Sequence, residues 1–194
     1  MNKRVILITG TPAVGKTTLA HKLTTTLNAQ YINLTDLAET EKLTQGKDKK
    51  RNTTIIDETK MRRKLKAIIT KTETDIIIDG HYAAAVTPKT LVTHIFVLRR
   101  NPKELRKHMQ KCGFSQSKQD ENLSAEILDI CLVEALRNHP KEKVCELDVT
   151  GKTVEDTLKT VLAVLKGKTK CRVGCVDWLG MLEREGKIDE FLKT

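Results

Sequence analysis

The chain has 194 residues, of which 31% are charged and 39% hydrophobic, and its formal net charge is +10. This length is enough for one domain with a real core and short for two. No apolar run approaches the roughly 20 residues that a membrane-spanning helix needs, and the first ten residues lack a signal-peptide cleavage site. The composition predicts a soluble globular protein, and its 3% aromatic content argues against a base-stacking platform for nucleic acid.

The positive charge is concentrated in two segments. Between Lys42 and Lys71 there are eleven Lys and Arg residues against three acidic ones, and residues 166–172 carry four more basic side chains. The first block fits contact with RNA or nucleotide phosphate, and it fits an ordinary solvated surface equally well.

The cysteines indicate a reducing compartment. Their number is odd and no secretory signal is present, so reduced thiols in a cytoplasm are the simple expectation. The pair Cys171 and Cys175 has the spacing of half a metal site, but no second pair at ligand spacing accompanies it. The five residues are Cys112, Cys131, Cys145, Cys171 and Cys175.

Short β-rich runs alternate with helical patterns along the chain. The first, third and fourth runs are continuously apolar, as expected of parallel strands that are covered on both faces. The alternation predicts an α/β fold, a three-layer sandwich around a five-stranded parallel sheet. The predicted strands are residues 4–9, 30–33, 75–79, 94–98 and 144–149.

The helical patterns are marked by apolar stripes and caps. A capping box at Asn101 to Glu104 starts a helix that stops near Gly113, and a single long helix is predicted from Ser117 to Asn138. Other predicted helices follow Gly15, span the basic residues near 61–69, start at Thr153, and form two short pieces split at Gly186. The polar stretch 43–54 is predicted to be poorly ordered and to lie over the active site.

The segment from Gly10 to Thr17 matches the phosphate-loop pattern G-x-x-x-x-G-K-[ST] between a strand and a helix. In that context the backbone N–H groups bind phosphate, the lysine reaches the β and γ phosphates, and the threonine hydroxyl binds Mg²⁺. The alternative is a plain strand-to-helix turn. Position 13 is Ala, which resists a positive φ; since the pattern does not demand glycine there, we expect an altered rate and intact binding. The predicted ATP-binding residues of this segment are Gly10, Ala13, Gly15, Lys16, Thr17 and Thr18.

Asp79 ends a buried strand and His81 follows two residues later. A carboxylate in that position can hold Mg²⁺ through water, so Asp79 and Thr17 are the predicted metal-site residues. His81 is predicted to position water or to contact the phosphoryl group. The alternative for both is a structural role in bonding loop amides.

Phosphoryl transfer needs positive charge around the moving group. Arg99 lies just past the fourth predicted strand, and Arg106 and Lys111 lie on the helix that follows. We therefore expect Lys16, Asp79, His81, Arg99 and Arg106 to be catalytic and Lys111 to bind ATP. A solvated helix face is the alternative for the helical residues.

Several motifs together resemble one family. They are ITGTPAVGKTTLA, YINLTDLAE, IIDETK, IIIDGHYA, FVLRRNPKELRKHMQKCGF and ENLSAEILDICLVEA. The chain resembles the adenylate-kinase-like nucleotide kinases of archaea and eukaryotes that assist late maturation of the small ribosomal subunit, the family of the human coilin-interacting nuclear ATPase. We expect an archaeal member, and only the stretch after about Lys166 lies outside the likeness.

The resemblance implies a P-loop NTPase fold similar to adenylate kinase. Apart from the resemblance, the two short amphipathic pieces at the end of the chain predict a C-terminal helical extension over about 173–194. The resemblance implies a nucleoside-monophosphate-binding insert near residues 33–56 with Asp36 and a lid near 108–121. It also implies broad transfer between nucleoside triphosphates and monophosphates with Mg²⁺, ATP hydrolysis, and transient binding of a uS11-type ribosomal protein and small-subunit pre-rRNA.

The lid departs from the pattern of that family. His108 and Cys112 stand where the family usually has arginine, and neither side chain offers a bidentate cation to phosphate. Lys111 and Arg106 are the available replacements. The sequence therefore leaves two functions open, a nucleoside monophosphate kinase and an ATPase that switches a ribosomal contact. A small-metabolite kinase of the shikimate or gluconate type shares only the phosphate loop.

Overall fold

The fold is built on a central parallel sheet. In a computed structural model, which describes residues 3–48 and 53–192, the sheet has the strand order β2-β5-β1-β6-β7, and every pairing in it is parallel. This confirms the predicted five-stranded α/β architecture. The strands are β1 (Val5–Thr9), β2 (Gln30–Asn33), β3 (Thr44–Asp48), β4 (Thr53–Ile56), β5 (Ile76–Asp79), β6 (His94–Arg99) and β7 (Val144–Asp148).

Helices cover both faces of this sheet. Alternate residues of β1 divide the core, because Ile6 and Ile8 join one apolar cluster while Val5 and Leu7 join the other. The helices are α1 (Lys16–Leu27), α2 (Leu34–Thr40), α3 (Glu58–Lys71), α4 (Ala83–Val86), α5 (Pro102–Lys111), α6 (Gln116–Ile127), α7 (Ile130–Asn138), α8 (Val154–Leu165), α9 (Trp178–Arg184) and α10 (Ile188–Phe191). A 3-10 turn covers Lys141–Lys143.

The prediction of a single helix from Ser117 to Asn138 is wrong, because the chain forms α6 and α7 there. Between them Asp129 adopts a left-handed conformation with φ 57°. Leu123 of α6 packs in one core cluster, and Leu132 of α7 packs in the cluster on the other face of the sheet. The apolar stripe is continuous in sequence, but the chain changes faces at Asp129.

The polar stretch predicted to be poorly ordered carries a hairpin instead. Strands β3 and β4 pair antiparallel, from Thr44 opposite Ile56 to Asp48 opposite Thr53. Residues 49–52 lie outside the described part of the chain, so most of the basic run at 47–51 is not described. The hairpin and α2 lie within the predicted insert, whose assignment to monophosphate binding stays a prediction.

The C-terminal segment packs against the face of the sheet on which Ile6 and Ile8 lie. Trp178, Leu182 and Phe191 are buried in the same core cluster as α1 and α5. Before them, the chain covers the edge strand β7, where the backbone N–H of Glu146 donates to the carbonyl oxygen of Arg172 at 2.8 Å. The extension is therefore an integral part of the core.

The expectation of five reduced cysteines is wrong at one pair. Cys145 and Cys171 form a disulfide with a Cα–Cα distance of 4.5 Å, because the covering segment brings Cys171 beside β7. Cys112, Cys131 and Cys175 are free thiols. Across residues 3–48 and 53–192, no helix combines the length and apolar character that crossing a membrane requires.

Candidate functional site

The phosphate loop joins β1 to α1 through a turn that requires glycine at both ends. Gly10 has φ 135°, and a Cβ atom there would lie 2.4 Å from the carbonyl oxygen of Leu98. Gly15 precedes α1 with φ 109°. Both conformations are rare for residues with a side chain, so the sequence pattern at these positions follows from the backbone.

The backbone at position 13 favours glycine, which the sequence pattern did not lead us to expect. It adopts a left-handed conformation with φ 68°, which costs a residue with a Cβ atom about 1 kcal/mol or more. The loop therefore stores strain at Ala13 that a glycine would release.

Lys16 lies within the loop with its charge directed at the loop backbone. Its Nζ donates to the carbonyl oxygen of Thr11 at 2.9 Å. Burial lowers the pKa of Lys16, and the negative charges of Asp79 and Glu126 act in the opposite direction. The ammonium group thus sits where it can exchange a backbone acceptor for a phosphate oxygen.

Asp79 occupies the centre of the site at the carboxyl end of β5 and is 1% exposed. Its Oδ2 accepts from the Thr17 hydroxyl at 2.7 Å, from the Tyr31 hydroxyl at 3.0 Å and from Asn33 Nδ2 at 3.4 Å. Asn33 pairs with Asp79 in the sheet register, so neighbouring strand ends deliver these groups to one edge. Sequence reasoning missed Tyr31 and Asn33 as partners of Asp79.

Thr17 and Asp79 fit a magnesium site that shares its ligands with a nucleotide. Both offer hard oxygen atoms, which Mg²⁺ prefers, and Mg²⁺ bound to nucleotides takes few protein ligands. Among the described residues there is no cluster of three or more His, Cys, Asp or Glu side chains able to hold a metal ion.

His81 is exposed at the rim of the cleft, and the nearby protein atoms still remove part of the water around its ring. This desolvation, together with the positive charges of Lys16 and Lys118, lowers the pKa of His81 to about 4. Its carbonyl oxygen accepts from the Thr9 hydroxyl at 2.9 Å. His81 is therefore neutral at pH 7 and its backbone is fixed to β1.

A cavity of about 490 Å³ opens beside the phosphate loop. Its walls include residues of the loop, of the helix α5 and of the turn before α8. Of the seven residues predicted at an ATP site, Gly10 is not among those that line this cavity. The other six line it together with Arg100, His108, Cys112, Lys152 and Thr153; they are Ala13, Gly15, Lys16, Thr17, Thr18 and Lys111. The volume and the lining suit the nucleoside part of a nucleotide.

Arg100, which follows Arg99 at the end of β6, lines this cavity. Its Nε and Nη2 donate to the carbonyl oxygen of Val14 at 3.3 and 3.2 Å, and its Nη1 pairs with Glu104. His108 lies nearby, 3.8 Å from Glu104, and burial and the charge of Arg100 lower the pKa of His108. Of these two residues, Arg100 and not His108 contributes a fixed positive charge to the cavity wall.

Arg99, predicted to be catalytic, points away from this cavity into the core. It is 1% exposed, and its guanidinium donates to Glu126 at 2.9 Å, to Glu146 at 2.7 Å and to Asp129. Successive residues of a strand face opposite sides, so Arg99 and Arg100 separate. The geometry gives Arg99 a structural position and argues against its predicted role.

Arg106, also predicted to be catalytic, faces the C-terminal helix. Its Nη1 donates to Glu190 at 2.7 Å, and its guanidinium lies 3.7 Å from the centre of the Phe191 ring. Two positions along a helix rotate a side chain by about 200°, which places Arg106 opposite Glu104 and His108 on α5. The expected role in the lid is not supported by this placement.

Asp36, predicted to bind a monophosphate, lies exposed in the first turn of α2. Its backbone N–H donates to Asn33 Oδ1 at 3.2 Å. Because Asn33 also reaches Asp79, the start of the predicted insert is tied to the centre of the site.

Relatives with known names match this chain over nearly its whole length. The family model described as "AAA domain" matches residues 6–129. A protein of Pyrococcus furiosus named "Putative adenylate kinase" is 37% identical over 182 residues, covering 92% of this chain and 93% of the relative. Another of that name, from Methanocaldococcus jannaschii, is 38% identical over 173 residues, covering 89% and 92%.

Solved structures share the fold at low identity. A shikimate kinase from Acinetobacter baumannii in complex with shikimate has a TM-score of 0.61 at 11% identity and covers 86% of this chain and 95% of its own. A gluconokinase from Sinorhizobium meliloti has a TM-score of 0.53 at 12% identity, with coverages of 85% and 93%. At such identities the likeness concerns the fold alone.

The fold and the phosphate loop define the chain as a P-loop kinase-type protein. Its identity with the named relatives extends over about nine-tenths of both chains. The chain belongs to the family of archaeal proteins named putative adenylate kinase.

Replacing Ala13 by glycine should stabilise the protein. Glycine adopts a positive φ without the clash of a Cβ atom, so we expect Ala13→Gly to raise the free energy of unfolding by about 1 kcal/mol. Urea denaturation measures the change. Ala20→Gly, in the interior of α1, is the control and should lower the free energy by about 1 kcal/mol or more. A loss of stability in Ala13→Gly would contradict the strain at this position.

Replacing Arg99 should lower the stability of the fold. Arg99→Met leaves Glu126 and Glu146 buried without their cation, which should cost about 3–5 kcal/mol of unfolding free energy. Thermal and urea denaturation measure this loss. Arg63→Met on the exposed face of α3 removes the same charge and should change stability by less than about 0.5 kcal/mol. Equal stabilities of the two variants would overturn the structural role.

The ring of His81 should remain uncharged in the folded protein down to about pH 5. Its folded pKa of about 4 lies below the ordinary 6.5, so its contribution to stability is complete above pH 6.5 and is lost as pH falls toward 4. A proton NMR titration of the five histidines, with His81→Gln to assign the signal, measures the midpoint. A midpoint near 6.5 would show that the cleft does not desolvate the ring.

Proposed function

We propose that the protein is a broad-specificity nucleoside monophosphate kinase of the adenylate kinase type that converts ATP and AMP into two ADP molecules and also hydrolyses ATP. The observation that carries this proposal is the 2.7 Å contact between the Thr17 hydroxyl and Asp79 beneath the phosphate loop. The names of the relatives support the choice of a nucleotide as acceptor.

The residues of the chain have distinct parts in the proposed reaction. The loop amides and Lys16 bind the phosphates of ATP, and the cavity beside Arg100 takes the nucleoside. Thr17 and Asp79 hold Mg²⁺, which neutralises phosphate charge when it is bound. A ring nitrogen of neutral His81 accepts a hydrogen bond from water or from the acceptor, and Asp36 lies on the insert where the monophosphate would bind.

We further propose that the enzyme acts during late maturation of the small ribosomal subunit, in the cytoplasm, with a uS11-type ribosomal protein and pre-rRNA as transient partners. The family resemblance of the sequence motifs supports this role. The exposed basic side chains of α3, among them Arg62, Arg63 and Lys66, offer positive charge suited to phosphate backbones.

A second candidate function is an ATPase switch with little kinase activity. It is favoured by the lid, where His108 and Cys112 line the cavity without supplying a permanent positive charge. Arg106 is held by Glu190 and does not replace them. Lys111 is then the cation of the predicted lid that remains beside the cavity.

Product analysis distinguishes the two functions. The purified protein is incubated with Mg-ATP, with and without AMP, and the nucleotides are separated. We expect two ADP molecules to form for each AMP lost, and Lys16→Ala to abolish turnover because it removes the charge that binds the phosphates. ADP and inorganic phosphate with AMP unchanged would instead establish the ATPase switch.

The matched control is Lys22→Ala. Lys22 lies on the same helix as Lys16, but it is exposed and pairs with Glu155. This variant should retain turnover within about twofold, since exposed ion pairs contribute little. Full activity in Lys16→Ala would remove the assignment of the phosphate loop.

A further inference from the structure

One buried carboxylate joins three parts of the molecule that sequence patterns do not connect. Glu126 lies in the last turn of α6 and is 1% exposed. Its Oε2 accepts from the hydroxyl of Thr11 at 2.6 Å. Its Oε1 accepts from Arg99 Nε at 2.9 Å, from the backbone N–H of Arg100 at 3.0 Å and from the indole Nε1 of Trp178 at 3.0 Å.

These bonds place Glu126 one residue away from the phosphate-binding ammonium group. Thr11 is the second residue of the phosphate loop, and its carbonyl oxygen holds Lys16 Nζ at 2.9 Å. Bound phosphates compete with that carbonyl for Lys16. When Lys16 turns to a phosphate, Thr11 loses a charged partner and its other hydrogen bonds must readjust.

The same carboxylate connects the loop to the helices behind it. Helix α6 begins within the predicted lid at 108–121 and returns the chain to the core, and Trp178 begins α9 of the C-terminal segment. Because Thr11 and Trp178 bond to the two oxygens of a single carboxylate, a change at one side alters the other.

We propose that Glu126 is a positioning residue that fixes the start of the phosphate loop against α6 and transmits nucleotide binding to α9 through Trp178. The inference rests on nucleotide binding at the loop, which is part of the proposed function, and does not depend on the phosphate acceptor. A glutamine at this position has one acceptor oxygen in place of two, and cannot satisfy all four donors.

The chain offers an internal probe, because Trp178 is its single tryptophan. Mg-ADP is titrated into the intact protein while tryptophan emission is recorded, and calorimetry on the same sample gives the dissociation constant. We expect the emission of Trp178 to change as Mg-ADP binds, and the emission titration to give the same dissociation constant as calorimetry. In Glu126→Gln we expect the affinity for Mg-ADP to fall about tenfold, as for loss of a hydrogen bond to a charged group, and the emission change to disappear.

Two further sets of variants separate positioning from general stability. Thr11→Val removes the hydroxyl at nearly constant volume and should also lose the emission change, while Thr11→Ser keeps the hydroxyl and should retain it. Asp129→Asn is the matched control, because Asp129 also bonds Arg99 without contact to Thr11, and asparagine tolerates its left-handed backbone. This control should bind and respond like the parent protein.

Saturable Mg-ADP binding without any change in Trp178 emission would overturn the inference. An unchanged response in Thr11→Val would overturn it as well, and this pair of variants carries the test even if Glu126→Gln fails to fold. Absence of transfer to AMP, with the emission response intact, would remove the proposed kinase function alone.

Discussion

The buried positive charge of Arg99, at the end of β6, determines how α6, the turn after it and β7 come together. Burying a guanidinium costs several kcal/mol unless its partners are well placed, so the carboxylates of Glu126, Asp129 and Glu146 must converge on it. Those residues come from α6, from the turn after it and from β7. The same pairing compensates the negative charge of Glu126 directly behind a loop that binds anions.

The residues of the candidate site come from two groups of strand ends. Strands β2 and β5 bring Asn33 and Asp79 together on the side where Thr17 points. Strand β6 brings Arg100 to the opposite side, against the carbonyl of Val14. Asp79 and Arg100 therefore contact different parts of the phosphate loop, through Thr17 and through the carbonyl of Val14.

Local patterns in the sequence were sufficient for the five strands of the parallel sheet, the phosphate loop and the position of Asp79, because each depends on neighbouring residues and on the edge rule of parallel sheets. They were insufficient for Arg99 and Arg106. Arg100, next to Arg99, and His108, two residues after Arg106, do line the cavity. Only the packing of α6 and α10 directs Arg99 to Glu126 and Arg106 to Glu190. The break at Asp129 was hidden for a similar reason, since a change of sheet face leaves the apolar spacing intact. The disulfide required knowledge of which strand the C-terminal segment covers.

That covering segment has a consequence for the protein in concentrated solution. A parallel sheet ends in strands whose free N–H and C=O groups can pair with another chain, which is a common start of aggregation. At β7 the backbone of Arg172 already occupies the N–H of Glu146, and the backbone N–H of Cys175 bonds the Glu146 side chain at 2.9 Å. The segment 172–175 thereby covers part of the edge of β7, which leaves fewer free backbone groups there for pairing with another chain, whatever the chemistry at the phosphate loop.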